Sequence, residues 1–161
     1  MTKRQTQSML SISSIYNRFL YFCKTMYDEE ITYKIRGAIY DVYTALGPGL
    51  LEVVYEKALK IELETKGLVV KEQGNIVINY KGHELDCNLR YDLLVDDCVI
   101  IKLKAVEEIK NVFFKQIVIC LRLLNLRTGI LVNFNTDNIL KSMHRVCNNY
   151  LSFSNELCYI F

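Results

Sequence analysis

Two short stretches decide the fold: Arg90-Tyr91-Asp92-Leu93-Leu94-Val95 and Val99-Ile100-Ile101-Lys102-Leu103-Lys104. Each mixes β-branched and other apolar residues with charged ones, which is typical of a strand. The residues between them include Asp96-Asp97, and aspartate favours tight turns. The pattern therefore predicts two strands joined by a tight turn.

The second of these strands carries charge on only one of its faces. Side chains alternate along a strand, so Ile101 and Leu103 share one face, and Lys102 and Lys104 share the other. Asp92 lies on the preceding strand and can reach the lysine face if the register allows. An acid and two amines would then form a polar cluster in an otherwise apolar sheet.

The composition indicates one folded domain. The chain has 161 residues, of which 51% are hydrophobic and 24% charged, and this balance is typical of a globular protein. The formal net charge of +2 argues neither for nor against a nucleic-acid partner.

The cysteines indicate a reducing compartment. No pair has the C-x-x-C spacing of many zinc and redox sites, and several lie in apolar runs. We therefore expect free thiols and a cytoplasmic protein. The six residues are Cys23, Cys87, Cys98, Cys120, Cys147 and Cys158.

The chain divides into three predicted parts: an extension over residues 1–25, a domain over residues 26–149 and an apolar tail over residues 150–161. Residues 1–25 lack a signal-peptide pattern and read either as an accessory helix or as an extension upstream of Met26. No apolar run approaches the roughly 20 residues that span a membrane, so no membrane partner is expected. The apolar tail leaves open a homo-oligomer or a protein partner.

Apolar periodicity predicts a mixed sheet with helices on its faces, because a strand meander is followed by a helical crossover to another strand. Gly47-Pro48-Gly49 interrupts the first helical pattern, and Lys81-Gly82 favours a hairpin turn. The predicted helices are Glu29–Leu46, Leu50–Lys66, Val106–Leu124 and a last helix from Asp137 to Asn149. The predicted strands are Leu68–Val70, Ile76–Tyr80, Leu85–Val95, Val99–Lys104 and Gly129–Phe134.

A second informative stretch is Gly49-Leu50-Leu51-Glu52-Val53-Val54-Tyr55. Glu52 and Tyr55 lie three residues apart, so they neighbour each other on one helix surface, and Glu56 extends that surface. A solvated helix face is the simpler interpretation, and a functional face is the alternative.

Together these stretches resemble the GxxExxY proteins of the PD-(D/E)xK nuclease-like superfamily. The resemblance rests on Gly49-x-x-Glu52-x-x-Tyr55, on Tyr91-Asp92-Leu93-Leu94-Val95 and on Lys104-Ala105-Val106-Glu107, and it covers about residues 31–146. It implies an α/β, restriction-endonuclease-like fold with a mixed central sheet flanked by helices, in a nuclease-like domain over residues 26–149.

The resemblance also implies a site. In nucleases of this superfamily, carboxylates hold Mg²⁺ or Mn²⁺, and the metal activates water and stabilises charge on the phosphate. By position, Glu52 and Asp92 would be metal ligands, Lys104 the motif lysine, and Gln116 a residue beside the site. The implied partner is nucleic acid.

One departure changes the chemistry of this site. Lys102 stands at the position of the motif glutamate, so the strand reads Lys-x-Lys and places an ammonium where a cation is expected. Two unit charges about 4 Å apart repel by about 4 kcal/mol at an effective dielectric of about 20, and a divalent ion doubles this. Cys120 also stands where relatives often have tyrosine.

Three functions remain open. The first is a degenerate, catalytically impaired nuclease-like domain that binds nucleic acid or protein, with Lys102 paired to Asp92 or Glu52 and no metal. The second is an active Mg²⁺-dependent nuclease with a migrated acid, for which Glu107 and Glu108 are candidates. The third is a structural or interaction protein, so the sequence alone does not decide whether the chain is an enzyme.

Overall fold

The computed structural model describes residues 26–85 and 89–148. The predicted extension (residues 1–25) and tail (residues 150–161), with Cys23, Cys87 and Cys158, lie outside the described residues. The helices are α1, whose described part covers residues 26–46, α2 (Glu52–Thr65) and α3 (Asn111–Leu123). The strands are β1 (Val70–Glu72), β2 (Ile78–Tyr80), β3 (His83–Leu85), β4 (Leu93–Val95), β5 (Val99–Lys104), β6 (Thr128–Asn133) and β7 (Met143–Cys147).

Five strands form one mixed sheet in the order β1-β4-β5-β6-β7. Strands β5 and β6 are parallel, with α3 as their crossover, and the other neighbours are antiparallel. Strands β2 and β3 form a separate two-stranded hairpin. The predicted mixed sheet is confirmed.

Helices cover both faces of the sheet. Helices α1 and α2 pack on one face, where they contact Ile101 and Leu103, and α3 packs on the other face against Ile100 and Leu131. The predicted alternation along β5 is therefore confirmed. None of the described helices is long and apolar enough to cross a membrane.

Both predicted turns are confirmed by their backbone. Asp96 and Asp97 have φ values of 48° and 54°, and Lys81 and Gly82 have values of 52° and 85°. Positive φ at both central residues matches the right-handed twist of the flanking strands, which is why this backbone conformation suits hairpins. The Asp96-Asp97 turn fixes β4 beside β5, with Val95 opposite Val99.

The predicted helix start at Val106 is wrong, because α3 begins at Asn111. The buried Asn133 side chain accepts a hydrogen bond from the Val106 N–H (3.0 Å) and donates one to the Val106 carbonyl (2.7 Å). A helix that begins at Val106 would need this carbonyl as the acceptor for the N–H four residues later, and Asn133 occupies it instead. Glu107 and Glu108 therefore lie before α3, not in its first turn.

The predicted last helix from Asp137 to Asn149 is also wrong. Asn138, not Asp137, caps a short 3₁₀ helix (Ile139–Lys141), and its side chain accepts from the Lys141 N–H at 3.3 Å. The residues that follow form β7, which pairs with the outer edge of β6. Pairing with β7 satisfies the main-chain N–H and C=O groups of β6, which would stay without partners if residues 143–147 were helical. Tertiary structure therefore overrides the local pattern.

The predicted continuous strand over Leu85–Val95 is divided. Its first residue belongs to β3 in the hairpin, and of the described residues 89–95 only Leu93–Val95 pair regularly as β4. The segment before β4 lies beside Gly74, and a Cβ atom at Gly74 would lie 2.0 Å from the Tyr91 hydroxyl. The Tyr91 ring therefore occupies the space that a side chain at residue 74 would need.

We predict that Gly74→Ala destabilises the protein by about 1–3 kcal/mol, because the new methyl group forces the buried Tyr91 ring to move. Urea denaturation measures the change. Gly37→Ala is the matched control, since nothing lies within 4 Å of its Cβ position and it sits inside α1. Helix propensity should make that variant about 0.5–1 kcal/mol more stable. Equal midpoints for the two variants would contradict the steric argument.

Candidate functional site

The central contact of the site joins Lys102 to Asp92. The Lys102 ammonium donates to Asp92 Oδ1 at 2.5 Å and to the Arg90 carbonyl at 3.3 Å. Asp92 Oδ2 accepts from the Leu103 N–H at 2.7 Å. The two charged side chains are only 16% and 13% exposed, so both ions are largely removed from water. The polar cluster predicted on this sheet face is present.

A second ion pair lies at the end of the same strand. Lys104 Nζ donates to both oxygens of Glu52, at 2.9 and 3.0 Å. The Lys104 side chain is 12% exposed, whereas that of Glu52 is 41% exposed. The ammonium also lies 5.6 Å from the centre of the Phe113 ring on α3. Lys104 therefore joins the first turns of α2 and α3.

Tyr55 determines where the first turn of α2, and with it Glu52, is placed. Its hydroxyl donates to the Gly47 carbonyl (2.6 Å) and accepts from the Leu50 N–H (3.1 Å). Its ring is fully buried and stacks on Phe134 with centroids 4.3 Å apart. The interpretation of this helix surface as a solvated face is therefore wrong, because Tyr55 anchors the loop between α1 and α2.

Gln116 and Cys120 have different environments, although they lie one turn apart on α3. Gln116 is exposed, and within the described ranges it makes no hydrogen bond to either ion pair. Cys120 is buried, and burial raises the pKa of its thiol. The charge of Lys102 lowers that pKa and the charge of Asp92 raises it.

Two residues that the sequence interpretation did not assign to the site, Glu56 and Gln73, lie next to it. Glu56 is 8% exposed, and its Oε1 accepts from Gln73 Nε2 at 3.0 Å. Burial raises the pKa of the Glu56 carboxyl, the bond from Gln73 lowers it, and the charges of Asp92, Glu72 and Glu52 raise it further. The position of Glu56 one turn after Glu52 is the sequence signal that could have identified it.

The candidate migrated acids take no part in the two ion pairs. Glu107 and Glu108 are both exposed and lie in the irregular segment before α3. Neither has a hydrogen bond or ion pair with the side chains of Asp92, Lys102 or Lys104 in the described part of the chain. Their geometry gives no support to a replacement carboxylate.

The side chains present do not fit a Mg²⁺ or Mn²⁺ ion. Hard cations need several oxygen ligands, but Asp92 and Glu52 both bind an ammonium. Among residues 26–85 and 89–148, no three His, Cys, Asp or Glu side chains form a group that could hold a metal ion. The two lysines supply the positive charge that these carboxylates require.

We predict that Lys102→Ala destabilises the protein by about 3–5 kcal/mol, because it leaves the Asp92 carboxylate buried without its cation. Thermal and urea denaturation at neutral pH measure the loss. Lys71→Ala removes an amine from another Lys–Asp pair, but that pair with Asp97 is more than half exposed, so the variant should melt almost like wild type. A Lys102→Ala midpoint equal to that of Lys71→Ala would contradict the buried-pair interpretation.

Comparison with known proteins agrees with this architecture. The family model of the PD-(D/E)XK nuclease superfamily matches residues 29–146, which include both ion pairs and the whole five-stranded sheet apart from Cys147, the last residue of β7. No curated protein and no solved structure matches the chain. The mixed α/β sheet flanked by helices is the restriction-endonuclease-like arrangement of that superfamily. The chain therefore belongs to the PD-(D/E)XK nuclease superfamily.

Proposed function

We propose that this chain is a nuclease-superfamily domain that binds nucleic acid without cleaving it. The observation that carries the proposal is the 2.5 Å contact between Lys102 and Asp92. It puts a permanent cation on the carboxylate that the resemblance to GxxExxY proteins assigns to the metal. In this proposal, Lys102 replaces the ion that would activate water, and the fold keeps its binding surface.

The charge balance supports the loss of metal-dependent chemistry. The two ion pairs are formally neutral, because Lys102 and Lys104 offset Asp92 and Glu52. A divalent ion would have to displace an ammonium that has two oxygen acceptors and little access to water. Repulsion between these cations amounts to several kcal/mol at short range. Glu52, Asp92, Lys102 and Lys104 thus form a stabilised core for the binding surface.

Cations beside this core favour nucleic acid as the partner. Lys110, the residue just before α3, and Lys115, within α3, are exposed and lie on either side of Phe113 in the sequence, and the Phe113 ring lies near Lys104. Neither lysine has an ion-pair partner among the described residues, and Arg90 beside Lys102 is also exposed. Unpaired lysine and arginine side chains are the groups that neutralise phosphates. This arrangement supports a polyanionic partner over the alternative of a protein partner.

We predict that calorimetry detects no Mg²⁺ or Mn²⁺ binding to the wild type and that the wild type does not cleave DNA. Lys102→Glu restores a carboxylate and removes the competing ammonium, so we expect this variant to gain metal binding. Lys71→Glu, made at an exposed ion pair, is the matched control and should gain nothing. Metal binding together with metal-dependent cleavage by the wild type would reject the proposal in favour of an active nuclease.

We predict salt-dependent binding of fluorescein-labelled DNA or RNA oligonucleotides, measured by anisotropy between low and physiological salt. Each phosphate contact contributes about 0.9 to the slope of log K against log salt for duplex DNA and about 0.7 for single strands, so Lys110→Glu/Lys115→Glu should lower the slope by about 1.5–2. Lys141→Glu is the control, because Lys141 is exposed on the 3₁₀ helix, whose Ile139 packs in the core cluster of α1 and α2 and not in that of α3. Absence of wild-type binding even at low salt would favour an interaction protein instead.

A further inference from the structure

Glu56 is a buried carboxyl group for which the proposed function has no role. It lies on α2 one turn after Glu52, and its side chain has no cation partner among the described ion pairs. Its bond is to Gln73, at the end of β1, so it connects α2 to the sheet. Burying a carboxyl costs free energy unless it is well paired. The hydrogen bond from Gln73 offsets part of this cost.

Gln73 is the link between Glu56 and Asp92. Its backbone has a φ of 46°, in the left-handed region that few residues other than glycine adopt. Its N–H donates to the Asp92 carbonyl at 2.9 Å while its side chain donates to Glu56. Gln73 therefore bonds α2 through its side chain and the segment at Asp92 through its main chain.

The chain around Asp92 needs such support because regular pairing ends there. Strand β4 begins at Leu93, and one residue earlier the Asp92 side chain accepts the N–H of Leu103. On the opposite segment, Gly74 lies under the Tyr91 ring, and Tyr91 N–H donates to the Gly74 carbonyl at 3.3 Å. The Asp92 carboxylate thus binds both the Leu103 N–H of the sheet and the Lys102 ammonium, although its own backbone lies outside the regular strand.

We infer that Glu56 and Gln73 are positioning residues: they clamp the backbone at Asp92 so that its carboxylate meets both Lys102 and the Leu103 N–H. The clamp also ties the helix that carries Glu52 to the strand that carries Asp92. It therefore fixes the positions of the two ion pairs relative to each other. The inference rests on the proposed function only in taking Asp92 as the centre of the site.

The Leu103 amide reports the clamp directly in ¹H–¹⁵N NMR spectra of the full chain. A hydrogen bond to a carboxylate gives this amide a distinct proton shift and slow exchange. Gln73→Gly removes the side chain and tolerates the positive φ, and Glu56→Ala removes the acceptor. In each variant we expect Leu103 amide exchange to accelerate about tenfold or more and its shift to move, because the carboxylate is no longer held.

Two further variants separate positioning from general stability. Glu56→Gln keeps an oxygen acceptor for Gln73 and should restore the wild-type Leu103 signal. Glu64→Ala, on the exposed side of α2, should leave that signal unchanged.

An unchanged Leu103 signal in Gln73→Gly, or an equal change in Glu64→Ala, would overturn the clamp. If Glu56→Ala does not fold, Gln73→Gly decides. These readouts need neither metal nor nucleic acid, so a failed clamp and a failed binding function remain distinguishable.

Discussion

The structure of the site depends on the contact between the Lys102 ammonium and the Asp92 carboxylate. Each charge alone would be costly at this depth, and together they satisfy one another and recruit the Arg90 carbonyl and the Leu103 N–H. The pair therefore joins the irregular segment before β4 to the middle of β5. It balances the charge of the acidic residue that this nuclease-superfamily sheet carries just before β4.

The second ion pair extends this arrangement to the helices. Lys104 binds Glu52 and lies near Phe113, so the starts of α2 and α3 meet at the end of β5. Tyr55 fixes the loop before α2, and its ring on Phe134 fixes the helix against the sheet. The Glu-x-x-Tyr spacing thus has one residue that faces the site and one that holds the helix in place. Both roles follow from helical geometry, because residues three apart lie on adjoining parts of the surface.

Much of the fold could be predicted because its signals are local. Gly47-Pro48-Gly49 had to interrupt a helix, Asp96-Asp97 suited a tight turn, and the alternation along β5 separated its two faces. The predictions that are wrong concern segments where a distant partner decides. Asn133 binds the main chain of Val106 and delays α3, and the open edge of β6 makes residues 143–147 a strand.

The sequence by itself determined the break between the first two helices, the lysine face of β5 and the candidate residues Glu52, Asp92, Lys102 and Lys104, because spacing and residue type are local properties. Only the tertiary structure decided which acid each lysine binds: Lys102 pairs with Asp92, and Lys104 with Glu52. It alone also brought Glu56 to Gln73 and left Gln116 exposed. These outcomes depend on strand register and on how deeply α2 and α3 pack against the sheet, which no spacing along the chain encodes.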